Sequence, residues 1–181
     1  MASSVNIQYR YSAVAMALHW AMAAILVPML FLGGELIRAP SGSILPTLHA
    51  SAGVTVLLLA IARIWWRLAN LPPEIPAGTP ASERAAAKLT HGLLYAMMIL
   101  IPVSGAFAYS GYADEHPSNA VASFFGVLSI PSFGLLSSHL MGDIHGLLVN
   151  LTFGLVGLHV LAALKHQFVS RDGLFWRMLP L

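Results

Sequence analysis

The chain has 181 residues, of which 57% are hydrophobic, only 9% are charged and none is cysteine. A soluble domain carries about a quarter charged residues, so solvation on all sides is excluded, as are disulfides, Fe–S clusters and thiolate metal sites. The formal net charge of +2 is too small to suggest a nucleic-acid partner, and the few basic residues are better read as topology signals.

Charge-free stretches define the elements in chain order. Residues 11–34 carry no charge between Arg10 and Glu35, which predicts a membrane-spanning helix near 13–33. Residues 39–62, between Arg38 and Arg63, predict a second helix near 47–67. The segment Leu71–Pro80 holds four prolines and must be a loop. Residues 89–113, between Lys88 and Asp114, predict a third helix near 89–110. Residues 144–164, between Asp143 and Lys165, predict a fourth near 143–167. Each stretch meets the roughly 20 apolar residues that a spanning helix needs.

The segment 111–142 is expected to be an external loop. It contains Pro117, Pro131, Gly126, Gly134 and six serines after residue 115, and its apolar core Val121–Ile130 is too short to cross. That length suits an interfacial or re-entrant segment. With four spans, Arg10, Arg63, Arg67, Arg84, Lys88, Lys165, Arg171 and Arg177 fall on one side and Arg38 alone on the other. Basic residues favour the cytoplasm. The expectation is therefore an all-α four-helix transmembrane bundle, one domain over 1–181, with both termini cytoplasmic and its flanks in membrane lipid. Trp20, Trp65, Trp66 and Trp176 lie near the expected interfaces.

Eight histidines are the anomaly: His19, His49, His91, His116, His139, His145, His159 and His166. Polar side chains inside membrane helices are costly and usually face the bundle interior. Depth sorts them. His19 and His159 sit a turn or two inside the cytoplasmic boundary, while His49 and His145 share the outer level. Fourteen residues separate His145 from His159, close to four turns, so both leave one helix face about 21 Å apart. Structural Zn or Cu sites gather three or four ligands at one point. Histidines in twos at separate depths instead suit two axial ligands per haem iron, and hence electron transfer. Gly53, Gly146, Gly154 and Gly157 are small residues that either admit a flat ring or serve helix packing. His91 and His166 lie within reach of the inner level, for a haem propionate or a quinone carbonyl. His116 and His139 are expected in the solvated outer loop.

An ordered set of residues then matches a known family. It runs from Tyr11-Ser12 and Leu18-His19-Trp20 to His49 with Gly53, and on to Arg63 and Arg67 before the proline-rich loop. It continues with His91, Leu94-Tyr95, Pro102 and Gly105, then His145, His159 and Ala162-Ala163-Leu164-Lys165-His166. The tail adds Arg171-Asp172 and Arg177-Met178-Leu179-Pro180. In these features the chain resembles the bacterial cytochrome b561 family, and most closely its di-haem superoxide:ubiquinone oxidoreductase branch.

The resemblance implies two haem b groups, with His19 and His159 ligating the inner iron and His49 and His145 the outer. It also implies an inner-membrane location and a cytoplasmic-side ubiquinone pocket, with Ser12, His166 and either Lys88 or Arg84 as candidates. Lys165 and Arg63 or Arg67 would neutralise haem propionates, and Lys165 with His166 would assist at the quinone. Gln167 stands where the family often has a second histidine. Superoxide is the implied electron donor, although the outer loops carry Glu35, Asp114, Glu115 and Asp143 against Arg38 alone, which is poor steering for an anion. Two other functions compete with this one. The first is a membrane anchor for a periplasmic redox protein such as a hydrogenase, and the second is a non-redox proton or metal transporter.

Overall fold

Ser12 opens the first helix: its Oγ accepts from the Ala15 N–H at 3.2 Å and so caps one of the free amides of the first turn. In the computed structural model, which describes residues 10–38, 43–76, 78–115, 123–125, 127–129 and 138–179, four long helices follow. They are α1 (Ala13–Ile37), α2 (Leu45–Ala69), α3 (Ala81–Glu115) and α4 (Ser138–Lys165). All four are long and apolar enough to cross a membrane, and the fold is a four-helix transmembrane bundle.

The ends of α3 and α4 run beyond the uncharged stretches. α3 starts at Ala81, so that Glu83, Arg84 and Lys88 lie on its first turns, and its 35 residues span about 50 Å, well beyond the hydrocarbon core. It continues to Glu115, two residues before Pro117. α4 begins at Ser138, which places His139 on its first turn instead of in a loop. An uncharged stretch marks only what the bilayer covers; a helix extends past it until a proline or glycine cluster stops it. His116 lies outside the described residues.

Between α3 and α4 the described residues form a small hairpin, β1 (Ser123–Phe124) paired antiparallel with β2 (Leu128–Ser129). It is fastened to α2: the Phe125 N–H donates to Ser51 Oγ at 2.8 Å, and Ser51 is 1% exposed. Ser51 lies six residues into α2, about 9 Å along its axis, so the hairpin folds back alongside the helix.

α1 packs on α2, α2 on α3 and α3 on α4. α1 and α4 meet through rings, with Phe31 edge-on to Phe153 at 4.9 Å and His19 facing His159. The buried interior is thin and includes Met22, Val56, Ala60 and Met141 with the hydroxyls of Ser51, Ser104 and Thr152. Each hydroxyl bonds a carbonyl of its own helix: Ser51 to Thr47 at 2.6 Å, Ser104 to Ile101 at 2.9 Å and Thr152 to Leu148 at 2.8 Å. That leaves no buried hydroxyl donor unmatched among these three. Large apolar side chains such as Phe31, Leu58 and Leu161 point outward, as lipid-facing residues do.

After α4 one π turn (His166–Ser170) leads through Arg171, in the left-handed region at φ 51°, and Gly173 at φ 78°. A short 3₁₀ turn (Phe175–Met178) then lies across the end that carries most of the basic residues. Trp20 Nε1 donates to the Met178 carbonyl at 2.7 Å and the Tyr11 N–H to that of Arg177 at 3.2 Å. The Arg10 guanidinium donates to the Leu179 carbonyl, and Arg177 reaches the Glu74 carbonyl in the proline-rich loop at 2.6 Å.

Candidate functional site

One register governs where the chemistry sits. Fourteen residues separate His19 from Gly33 on α1, His49 from Arg63 on α2, His91 from Gly105 on α3 and His145 from His159 on α4. Fourteen residues are close to four turns, about 21 Å. The helices alternate in direction, so each contributes one of these positions to each of two levels. Gly33, His49, Gly105 and His145 form the far level. His19, Arg63, His91 and His159 form the level at the basic end.

At the far level the His49 and His145 rings face each other with centroids 6.2 Å apart and planes at 65°. His145 Nδ1 lies 2.9 Å from the Ile101 carbonyl and 3.3 Å from Ser104 Oγ. A carbonyl only accepts, so Nδ1 carries the proton and Nε2 keeps its lone pair. Both rings lie against glycine. A Cβ on Gly105 would sit 3.0 Å from His145 Cε1, and one on Gly33 would sit 3.1 Å from His49 Cε1. His49 Nδ1 is buried with no hydrogen-bond partner, a costly state for a ring nitrogen.

At the basic level His19 and His159 repeat the same separation, 6.2 Å with planes at 69°. A third ring, His91, lies 5.4 Å from His159. Arg63 ties three helices together here: its Nε donates to Tyr95 Oη at 3.1 Å, and a terminal nitrogen donates to the Ala15 carbonyl at 3.0 Å.

These residues fit two axial imidazoles per iron. Metal–nitrogen bonds of about 2 Å on opposite faces put two ring centroids about 6 Å apart, and both pairs have that spacing. The glycine cradles and the oriented His145 ring agree with it. Among the described residues no three His, Asp or Glu gather to hold a bare ion. The glycines touching imidazole are Gly33 and Gly105. A Cβ on Gly146, Gly154 or Gly157 would meet nothing within 4 Å, and one on Gly53 meets Pro102 at 3.8 Å, so close helix packing does not account for the three on α4.

The candidate quinone residues fall into separate groups. A cavity of about 380 Å³ at the basic end is lined by Ser12, Arg63, Trp66, Arg67 and Tyr95, with prolines of the α2–α3 loop. This is within the usual size of a small-molecule site. Besides capping α1, Ser12 Oγ accepts from Trp66 Nε1 at 3.0 Å. His91, His166, Lys165, Lys88 and Arg84 do not line this cavity. Lys165 pairs with Glu83 of α3 at 2.6 Å, and Lys88 is exposed.

His166 Nδ1 is 2.6 Å from Asp172 Oδ2, and Asp172 Oδ1 accepts from the Leu174 N–H at 3.1 Å. Burial pushes the Asp172 carboxyl up, but the Leu174 amide and the adjoining His166 outweigh it and hold the group below the usual carboxylate range. At the far end Arg38 lies 3.7 Å from Glu35. The lone arginine there is therefore accompanied by an opposite charge.

Sequence reasoning misses Gly33, Glu83 and Asp172. The fourteen-residue spacing, extended from α4 to α1 and α3, would have found Gly33. Nothing local marks Glu83 or Asp172 as partners of residues on another helix or across a turn.

The family model for prokaryotic cytochrome b561 matches residues 10–181. Cytochrome b561 homolog 2 of Escherichia coli (strain K12) is 29% identical over 98% of this chain and 95% of its own length. The probable superoxide oxidase CybB of Yersinia pestis is 28% identical over 94% of this chain and 96% of its own. Cytochrome b562 of Cereibacter sphaeroides is 29% identical over 93% of this chain and 94% of its own.

Proposed function

Since the chain belongs to the prokaryotic cytochrome b561 family, and is thus a multi-pass bacterial inner-membrane protein of electron transfer, we propose that it is a di-haem oxidoreductase taking electrons from an outside donor to ubiquinone. The observation that carries this is the pair of matched imidazole couples, His19/His159 and His49/His145, each at 6.2 Å and separated by four helical turns. When bound, haem b supplies one-electron chemistry at iron.

The protein's own part is orientation and charge. Ile101 and Ser104 fix the His145 ring, while Gly33 and Gly105 leave room for the imidazoles. Arg63, beside the basic-level histidines, supplies a fixed cation for carboxylate groups on a cofactor, and Arg67 lies on the cavity wall. The cavity beside Ser12, Tyr95 and Arg63 suits a quinone head group, with hydroxyl and guanidinium donors for its carbonyl oxygen. His166, oriented by Asp172, is a proton donor at the same end. The eight-to-one distribution of basic residues supports a cytoplasmic basic end and both termini inside.

Superoxide is the proposed donor, supported by the similarity to the probable superoxide oxidase of Yersinia pestis. Purified protein is expected to show a Soret band, a reducible α-band and two haems per chain, and to be reduced by superoxide in stopped flow. A sample without these bands refutes the haem reading. Haems that stay oxidised with superoxide but are reduced by a periplasmic redox protein would replace the donor and leave the rest.

A further inference from the structure

The two levels are built on one register but are not equivalent. On α3 the far level presents Gly105, against which His145 lies; the matching position at the basic level presents His91. Its ring centroid is 5.4 Å from that of His159, closer than the 6.2 Å of His19. The three rings come from three helices, α1, α3 and α4. All three rings keep some accessible surface. An imidazole set within a membrane helix, where the same register elsewhere uses glycine, calls for a role that offsets its cost.

The seams between the helices differ as well. α3 and α4 share the most extensive contact of the bundle, whereas α1 meets α4 through rings such as Phe31 and Phe153. The spacing of His91 to His159 is therefore held by the firmer contact, and that of His19 to His159 by the looser one. His91 thus lies within side-chain reach of the same site, and its side-chain torsions would carry the ring to the position opposite His159.

We propose that His91 is a reserve axial ligand, able to take the place of His19 opposite His159 at the basic level. This rests on the reading of that level as a haem site. The ligand exchange is redox-neutral: the lone pair of one neutral imidazole leaves the iron and that of another replaces it.

The test uses purified full-length chains carrying His19→Leu, which retains volume without a donor atom, His91→Ala, and both changes together. Haem per chain is counted by pyridine haemochrome, and spin state is read from the Soret position and by electron paramagnetic resonance. His19→Leu is expected to keep two low-spin haems, unchanged by added imidazole. His91→Ala alone is expected to keep two as well, and the double variant to fall to one. His19→Leu falling to one haem, or keeping a high-spin haem that added imidazole converts to low-spin, overturns the inference while leaving the two-haem reading intact. If His19→Leu does not yield folded protein, His19→Ala carries the same comparison. A wild-type chain without haem overturns both readings.

Discussion

Gly105→Ala is the substitution whose outcome the geometry constrains most tightly. The added methyl would sit 3.0 Å from His145 Cε1 and 3.1 Å from Nδ1, about half an ångström inside normal contact. Two responses are open. The ring can swing away, but Nδ1 is held by the Ile101 carbonyl at 2.9 Å, and a shift of that size weakens the bond that fixes the tautomer of the ring. Otherwise α3 and α4 separate along their firmest seam. Either response costs about 1–3 kcal/mol, the usual range for overpacking a filled site. If that cost falls on the cofactor-bound form, haem affinity at the far level drops about five- to hundred-fold. Titration of the purified apoprotein with haem, followed in the Soret band, should show one site weakened and the other unchanged. Gly78→Ala, in the α2–α3 loop, is the control, since its methyl meets nothing within 4 Å and should leave both affinities alone. Equal and unperturbed affinities in Gly105→Ala would refute the claim that this glycine exists to seat His145.

Three more outcomes are expected. Arg63→Ala removes the bonds to Tyr95 and the Ala15 carbonyl, each a charged hydrogen bond worth about 1.5–3 kcal/mol, so thermal unfolding in detergent should shift down clearly. Arg63→Lys should rescue only part of that shift, because a point charge cannot serve both acceptors as a guanidinium does. Ser51→Ala releases the Phe125 amide at a cost of about 1 kcal/mol, and limited proteolysis should cut within 123–129 faster while the helices stay intact. The Asp172 carboxyl is lowered in the folded chain, so its stabilising contribution is complete above the ordinary carboxylate value of about 4 and lost as pH falls through the lowered one. Hydrogen exchange in the 171–179 tail should therefore rise only in acid for the wild type, and Asp172→Asn should abolish that acid step.

Much of this architecture is legible in the chain because a membrane simplifies the rules. Water is absent from the hydrocarbon, so span length and charge placement determine where helices lie, and fourteen residues on α4 set the spacing of the two levels. The pairs His19/His159 and His49/His145 are readable from depth because antiparallel helices turn distance from a boundary into height. The helix ends are less legible, since α3 and α4 continue into polar surroundings where hydropathy carries no signal. Partner choice is least legible. That Lys165 faces Glu83, or that His166 meets Asp172 instead of lining the Ser12 cavity, depends on rotations and on a left-handed turn at Arg171 that no spacing rule encodes.

The tail that lies across the basic end has a practical consequence. With Arg10 and Tyr11 bonded to Leu179 and Arg177, the two ends of the described chain are fastened to each other on a single face. A reporter fused at either end must read the same compartment, whichever compartment that is. Biosynthesis also acquires an order: α1 enters the membrane before α4, but its own entrance at Tyr11 and Trp20 stays unclasped until Arg177 and Met178 have left the ribosome. Shortening the chain by ten residues would remove no transmembrane segment, yet it would leave the first helix without its closing contacts.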